Sequence, residues 1–479
     1  MKTVSPKPWV YELYAKAARS VPAYKALLGP EQSRIRTSED VLQFAPILDK
    51  KSYITKQKFA ALSTGGHLAP IMHASSGSSG TPTYWLRNFD QEYKVALDRQ
   101  VIFQNYFGFK KTERTLVIVA FGMGIWVAGS MEANACKLLA EKHGWRITVA
   151  TPGIEKKDIA SIFKHSAGEY QNVVLIGFPA FIMDALQYCK QQHIQFNNRF
   201  RLLLAGEAIS ESFRAAFIRT IHAPTQPKLL QVANVYGSAD AGQIGFETPV
   251  SVLAQQVFAT HPEIRTRVLG GTAHTAPALY QWNPNHIHIE SHAGELLLTA
   301  PTGIPLIRYN IHDQGRVLTG LEIAHALKPY VPHAQFLQIK NTKLPFVSHN
   351  GRTDVAVSYY AINIYPSNIQ SALQAPGIKD VVTQSYFTRH YYSKTHTKET
   401  WEIYVEVKKP ATKQVIAKIE KAITATMLKV SIEYRKLFGT IGEAACPKII
   451  PVTHIQAIPP QIFKRGMLYI HGKKPKMLM

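Results

Sequence analysis

Cysteine is nearly absent from this sequence. The three present, Cys136, Cys189 and Cys446, lie far apart and without CxxC spacing, which excludes a disulfide scaffold and a structural zinc site. No apolar run reaches the ~20 residues of a membrane-spanning helix. The longest, "LVIVAFGMGIWVAG" from Leu116 to Gly129, is broken by glycines. The opening "MKTVSPKPWVYELY" has no apolar signal core, so a cytoplasmic chain with no transmembrane segment is expected. The GxxxxGK[ST] pattern of nucleoside-triphosphatase phosphate loops is missing too. Acidic residues are few: 32 Asp and Glu face 55 Lys and Arg, a formal charge of +23. From Gly351 onward, 19 basic residues stand against 8 acidic ones. Such a balance suits polyanions, whether nucleic acid, membrane, a phosphorylated cofactor or an acidic protein. Zinc fingers, RNP-type aromatic strands and Arg-rich segments are all lacking, however. A basic nucleic-acid-binding protein therefore rests on net charge alone, and no specific nucleic acid is expected.

What the chain has is bulk. Its 479 residues, 46% of them hydrophobic, suffice for a large core in two or more domains. "TLVIVAFG", "NVVLIGF", "RLLLAGEA" and "VANVYGSA" read as buried strands ending in glycine or small residues. Helical patterns such as Glu132–Lys142 and Ser210–Ile221 lie between them. This alternation predicts parallel sheet with helices on its faces and a ligand at the carboxyl ends of the strands. After about Lys340 the rhythm changes. "WEIYVEVKK" alternates as a half-exposed strand, and Val415, Ile416, Ile419, Ile423 and Met427 fall at helical spacing. "KIIPVTHIQAI" reads as another strand. The expectation is an α/β fold: a large domain over residues 1–350, with mixed and parallel sheets flanked by helices, and a small mobile α+β lobe over 351–479.

Within the first domain stands "SSGSSGTPT", Ser75 to Thr83. Its two glycines permit positive φ and close backbone approach, and its hydroxyls can donate to phosphate oxygens. Four more stretches follow in order: "AGEAISESFR", "YGSADAG", "GELLLTAPTGIPLIRYNIHDQGR" and "GRTDVAVSYYAINIYPSNIQ". Together with "AARSVPAYKALL" and "TSEDVLQFAPILDKKSYI" near the start, the set resembles the adenylate-forming acyl- and aryl-CoA synthetase superfamily. Its phenylacetate–CoA ligase-like branch is the most similar.

The resemblance implies a role for each matching position. Ser75, Ser76, Gly77, Ser78, Ser79, Gly80 and Thr81 would cradle the β- and γ-phosphates of ATP. Gly206, Glu207 and Ala208 would lie along the adenine, and Tyr236, Gly237 and Ser238 would stack on it, with Asp240 offering a carboxylate to Mg²⁺. Asp313 would hold the ribose hydroxyls, and Arg352 would reach ribose or phosphate. Asp354 would be the hinge, and Phe121, Gly122, Met123, Gly124 and Trp126 would line the acyl pocket. Lys473 matches the catalytic lysine, with Lys464 and Lys474 as open alternatives. The chemistry agrees: in-line attack on the α-phosphate builds charge that N–H donors, Mg²⁺ and cations stabilise. A carboxylate such as Asp240 is a hard ligand suited to Mg²⁺.

The implied function is an ATP-dependent, AMP-forming acid–thiol ligase acting on an aromatic or hydrophobic acid. The acceptor is CoA or the phosphopantetheine arm of an acidic acyl or peptidyl carrier protein. A non-catalytic nucleotide-binding descendant is the alternative. Three departures bear on it: Thr81 replaces a common lysine, Ala239 and Asp240 replace a hydroxyl and a glutamate, and Ala361 replaces a glycine. Other features invite bland readings. His286, His288 and Glu290 alternate on one strand face, as a metal trio or, more plainly, a solvated sheet face. Asp90, Glu92 and Lys94 read as an exposed helix start, Glu207 as a turn residue, and Cys136 and Cys189 as core.

Overall fold

A computed structural model describes residues 4–75, 83–221, 230–270, 277–352, 357–360, 362–393, 398–459, 461–462, 466–469 and 476–478. They gather into two compact units, a larger one reaching Gly351 and a smaller one beginning at Arg352.

The larger unit is built on a nine-stranded sheet. Five of its strands are parallel: Ile147–Ala150, Thr115–Ala120, Asn172–Gly177, Phe200–Ala205 and Val232–Ser238, in that spatial order. Thr115–Ala120 and Asn172–Gly177 are buried at every position, which is why they read as unbroken apolar runs. The connecting helices Val127–His143, Lys156–His165, Pro179–Gln191 and Glu211–Ile221 follow the strands in turn. The helical pattern read over Glu132–Lys142 lies inside the first of these. That helix stops where Gly144 turns left-handed, at φ 67°. Ser210 caps the last, its hydroxyl accepting from Phe213 N (3.2 Å). Cys136 and Cys189 are buried on these helices.

Beyond Val232–Ser238 the sheet turns antiparallel, through Gly242–Phe246, Ala278–Gln281, Phe346–His349 and the two-residue Val317–Leu318. A second sheet orders Leu48–Asp49, Leu306–Gln314, Glu295–Ala300 and His288–His292. Tyr14, Leu296, Leu298 and Tyr309 share one core with the N-terminal helices. Leu306–Gln314 holds two non-glycine residues at positive φ, Arg308 (47°) and His312 (62°). Its register against Glu295–Ala300 shifts twice, which re-aims its side chains.

The smaller unit orders Lys448–Val452, Glu399–Val407, Val382–Tyr392, Gly466–Tyr469 and Lys476–Leu478 in one sheet. Helix Lys413–Val430 buries Ile419, Ile423 and Met427 against Trp401, Ile403 and Val405, as its spacing predicts. The run "KIIPVTHIQAI" is a strand only to Val452. Beyond it Ile455–Ala457 forms a 3₁₀ turn, after the His454 imidazole accepts from Gln456 N. Side chain–backbone bonding of that kind competes with strand pairing. No helix among the described residues is long and apolar enough to cross a membrane.

Candidate active site

The carboxyl ends of the parallel strands present short turns. Phe200–Ala205 ends in Gly206 at φ 93°, a value that a side chain would strain, and Glu207 and Ala208 follow. The Glu207 carbonyl accepts from Asn234 Nδ2 (2.9 Å), so the turn is tied to the neighbouring strand. Asn234 sits on a buried polar scaffold. Its Oδ1 accepts from the Tyr280 hydroxyl and its N–H donates to Glu247 (2.8 Å). Glu247 also accepts from Arg214 Nη1 (3.0 Å), Arg214 Nη2 (2.6 Å) and Gln255 Nε2 (2.7 Å). Burial opposes the charge on Arg214, and Glu247 more than offsets it, holding the guanidinium well above its ordinary range.

On that scaffold Tyr236 stacks against Tyr280, with ring centroids 5.5 Å apart, and lies 4.7 Å from the His349 imidazole. The Tyr236 hydroxyl donates to Asp313, and His349 Nε2 is 3.5 Å from the same carboxylate. Four residues earlier on the twisted strand, the Tyr309 hydroxyl donates to Asp240 (2.7 Å). His312, between them, is held left-handed while its N–H donates to Asn310 Oδ1 (2.7 Å). Tyr236, Asp240 and Asp313 are thereby brought together, Asp313 buried and Asp240 half-buried. Gly237 is exposed and Ser238 accepts from Ala241 N (3.1 Å).

A second cluster gathers at Ser75. Its hydroxyl accepts from Lys50 Nζ (2.9 Å) and Trp85 Nε1 (3.3 Å). One residue earlier, Ala74 N donates to the Ile125 carbonyl (2.9 Å) and Ala74 pairs with Trp126, which sets the end of the stretch 121–126 beside the strand that leads to Ser75. Gly129 makes this possible: a Cβ there would meet the Gly122 carbonyl and Met123 Sδ, each at 2.7 Å. Lys50 stands in the N-terminal stretch "TSEDVLQFAPILDKKSYI", where nothing local marks it as functional. Ser76, Gly77, Ser78, Ser79, Gly80 and Thr81, the hinge Asp354, Ala361, and Lys464, Lys473 and Lys474 lie outside the described residues. Arg352 is half-buried in the smaller unit.

Two bland readings need correction. His288 and Glu290 are not a solvated face. His288 is 2% exposed beside Trp282, and burial drops its pKa to about 4. Glu290 pairs with Arg308 (2.8 Å), and His286 sits outside the strand, 3.1 Å from Asp98. The start of helix Phe89–Val101 is exposed at Asp90 but not at Glu92, which is 1% exposed. The Asn88–Gln91 capping box aligns that first turn.

Burial raises the Glu92 pKa to about 7, with Arg87 pulling it down and Glu132 pushing it up. The folded chain therefore holds a proton that the unfolded chain releases near 4.5. Stability should fall as pH climbs from about 4.5 to 7, by about 3 kcal/mol from this group. Glu92→Gln is expected to flatten that slope, with a higher Tm than the parent at pH 8 and an equal one at pH 4.5. Parallel Tm-versus-pH curves would assign the slope elsewhere.

No family model matches the chain, and no curated protein matches it in sequence. Solved structures do. 2-Hydroxyisobutyryl-CoA ligase in complex with 2-HIB-AMP and CoA, in the thioesterification state, superposes with a TM-score of 0.56 at 14% identity, covering 92% of this chain and 84% of that one. The same ligase in the postadenylation state with R3-HIB-AMP gives 0.49 at 14% identity, over 94% and 85%. o-Succinylbenzoate CoA synthetase of Bacillus subtilis gives 0.44 at 14% identity, over 81% and 66%. At such identity the first likeness speaks to architecture: this chain has the fold of the adenylate-forming acyl-CoA ligases, with its C-terminal lobe.

Proposed function

We propose that the protein is an ATP-dependent, AMP-forming carboxylic acid ligase of the phenylacetate–CoA ligase-like kind. The observation that carries this reading is the convergence of Asp313, Tyr236 and Asp240 at the carboxyl end of the Val232–Ser238 strand, in a chain with that fold. Asp313 accepts the ribose diol, exchanging its bond from Tyr236 for bonds from the nucleotide. Asp240, pre-aimed by Tyr309, faces the metal of MgATP. A lone protein carboxylate fits Mg²⁺, which takes its remaining oxygens from phosphates and water.

In this reading a carboxylate oxygen of the acid attacks the α-phosphate, pyrophosphate leaves, and an acyl-adenylate remains. A thiol, of CoA or of a carrier protein's phosphopantetheine, then attacks the acyl carbon, loses its proton and expels AMP. Ser75–Thr81 receive the pyrophosphate end, and Lys50, bonded to Ser75, adds a cation there. Arg352 and Lys473 supply charge from the smaller unit, and Asp354 is the hinge. Phe121, Met123 and Trp126 favour an aromatic or hydrophobic acid.

The test is ATP–pyrophosphate exchange against aryl, short-chain and long-chain acids, with no thiol added. Acid-dependent exchange is the expected result. Tight MgATP binding with no exchange from any acid would replace this reading with a non-catalytic nucleotide binder.

A further inference from the structure

Behind Asp240 lies a buried cation that none of these roles uses. Arg87, 1% exposed, ends the strand Thr83–Arg87. Its Nη2 donates to the Ala239 carbonyl (2.6 Å). Its Nη1 lies 2.7 Å from where a Cβ on Gly242 would stand. Gly242 itself is left-handed at φ 79°, so a side chain there is barred by both backbone and neighbour. One guanidinium therefore spans the turn from Ala239 to Gly242, and Asp240 is carried on that turn.

The charge facing Arg87 comes first from Glu92, which is 1% exposed and beside Asn134, and then from Asp240. Around the pair, Glu132 is committed to Arg99 through Arg99 Nε (2.6 Å), and Asp98 accepts from Gln243 Nε2 (2.7 Å). Arg87 and Glu92 line a cavity of about 40 Å³ together with Gln91, Lys94, Gln243 and His286. Its wall is mixed, with these polar groups beside Val95, Met131 and Ile287, and it is roomy enough for water. Burial lowers the Arg87 pKa to about 10, against Glu92 and Asp240, which raise it; the guanidinium stays charged at neutral pH.

We infer that Arg87 is a positioning residue for adenylation: by holding the Ala239 carbonyl and packing on Gly242 it sets where Asp240 presents its carboxylate, with Glu92 as its counter-charge. The inference rests on the preceding reading of Asp240 as the carboxylate that serves MgATP. A merely structural cation would cost stability when removed and leave the folded enzyme's kinetics alone.

The variant for the test is Arg87→Met/Glu92→Gln in the full chain, which removes both charges and so strands neither. Amide hydrogen exchange is read without ligands. It should quicken about tenfold or more at Ala241 and Gly242 and stay unchanged in the central strand Asn172–Gly177. In ATP–pyrophosphate exchange, kcat should fall about 10- to 100-fold, with the KM for the acid within about twofold of the parent. Arg87→Lys should recover part of kcat, since an ammonium can bond Ala239 but lacks the planar fork that packs on Gly242. Parental amide rates overturn the inference, as does faster amide exchange with an unchanged kcat. A parent chain that exchanges pyrophosphate with no acid sinks the adenylation reading alone. The amide rates then still decide whether Arg87 holds the turn.

Discussion

Asp313→Ala is expected to lower acid-dependent ATP–pyrophosphate exchange by about 10²- to 10⁴-fold. The carboxylate stands to accept two charge-assisted hydrogen bonds from a ribose diol, each worth about 1.5–3 kcal/mol. At 1.36 kcal/mol per decade the pair amounts to that range. Most of the loss should appear in kcat/KM for MgATP rather than in the KM for the acid, because the interaction is with nucleotide alone. Asp313→Asn, which keeps the shape and one acceptor for the Tyr236 hydroxyl, should lose about one to two decades. The stability of both variants must be read beside the rate, since Asp313 is buried and already bonded to Tyr236. Activity within threefold of the parent, in a folded Asp313→Ala protein, would remove this aspartate from the nucleotide site.

Glu247→Ala should do its damage to the fold. One carboxylate collects Arg214 twice, Gln255 and the Asn234 N–H. Its removal leaves a guanidinium in the core with only the half-buried Glu211, 3.0 Å from its Nε, as counter-charge. Breaking a buried pair from one side costs about 3–5 kcal/mol. Spread over the unfolding entropy of a unit of about 350 residues, that is a fall in Tm of about 4–7 °C. Because Asn234 also holds the Glu207 carbonyl and the Tyr280 hydroxyl, the KM for MgATP should rise as well. Arg214→Met/Glu247→Gln should restore part of the Tm, since the buried pair is removed together and only the half-buried Glu211 loses its partner. A Tm unchanged in Glu247→Ala would mean that Glu211, or water, satisfies Arg214 without Glu247.

Much of the architecture was written in local patterns. The strands Thr115–Ala120 and Asn172–Gly177 are buried at every position, so after their first residues their sequences are apolar, and the helix Lys413–Val430 declares itself by spacing. The antiparallel strands Ala278–Gln281 and Phe346–His349 gave no such signal. Gln281 and Ser348 are buried among them through bonds that only the fold assembles, to Thr342 and to the Leu269 carbonyl. The candidate site divides in the same way. Asp240 and Asp313 lie in ordered motifs, but Asp313 and Tyr309, the donor to Asp240, share a strand that holds two left-handed residues and no glycine. Propensity argues against that conformation. Glu92 reads as solvated because the cation that faces it, Arg87, arrives from a different element. Burial of a charge is a property of the partner, and a local stretch does not contain that partner.

The nine-stranded sheet has a consequence for the protein in a crowded cell. Its interior is rich in β-branched and leucine residues, the composition that templates intermolecular stacking when exposed. Yet its two outermost strands are only the four residues Ile147–Ala150 and the two residues Val317–Leu318. So short a margin offers another chain few free N–H and C=O groups to zip onto. The sheet is thus wide enough to hold the candidate site and still poor at recruiting strands from its neighbours.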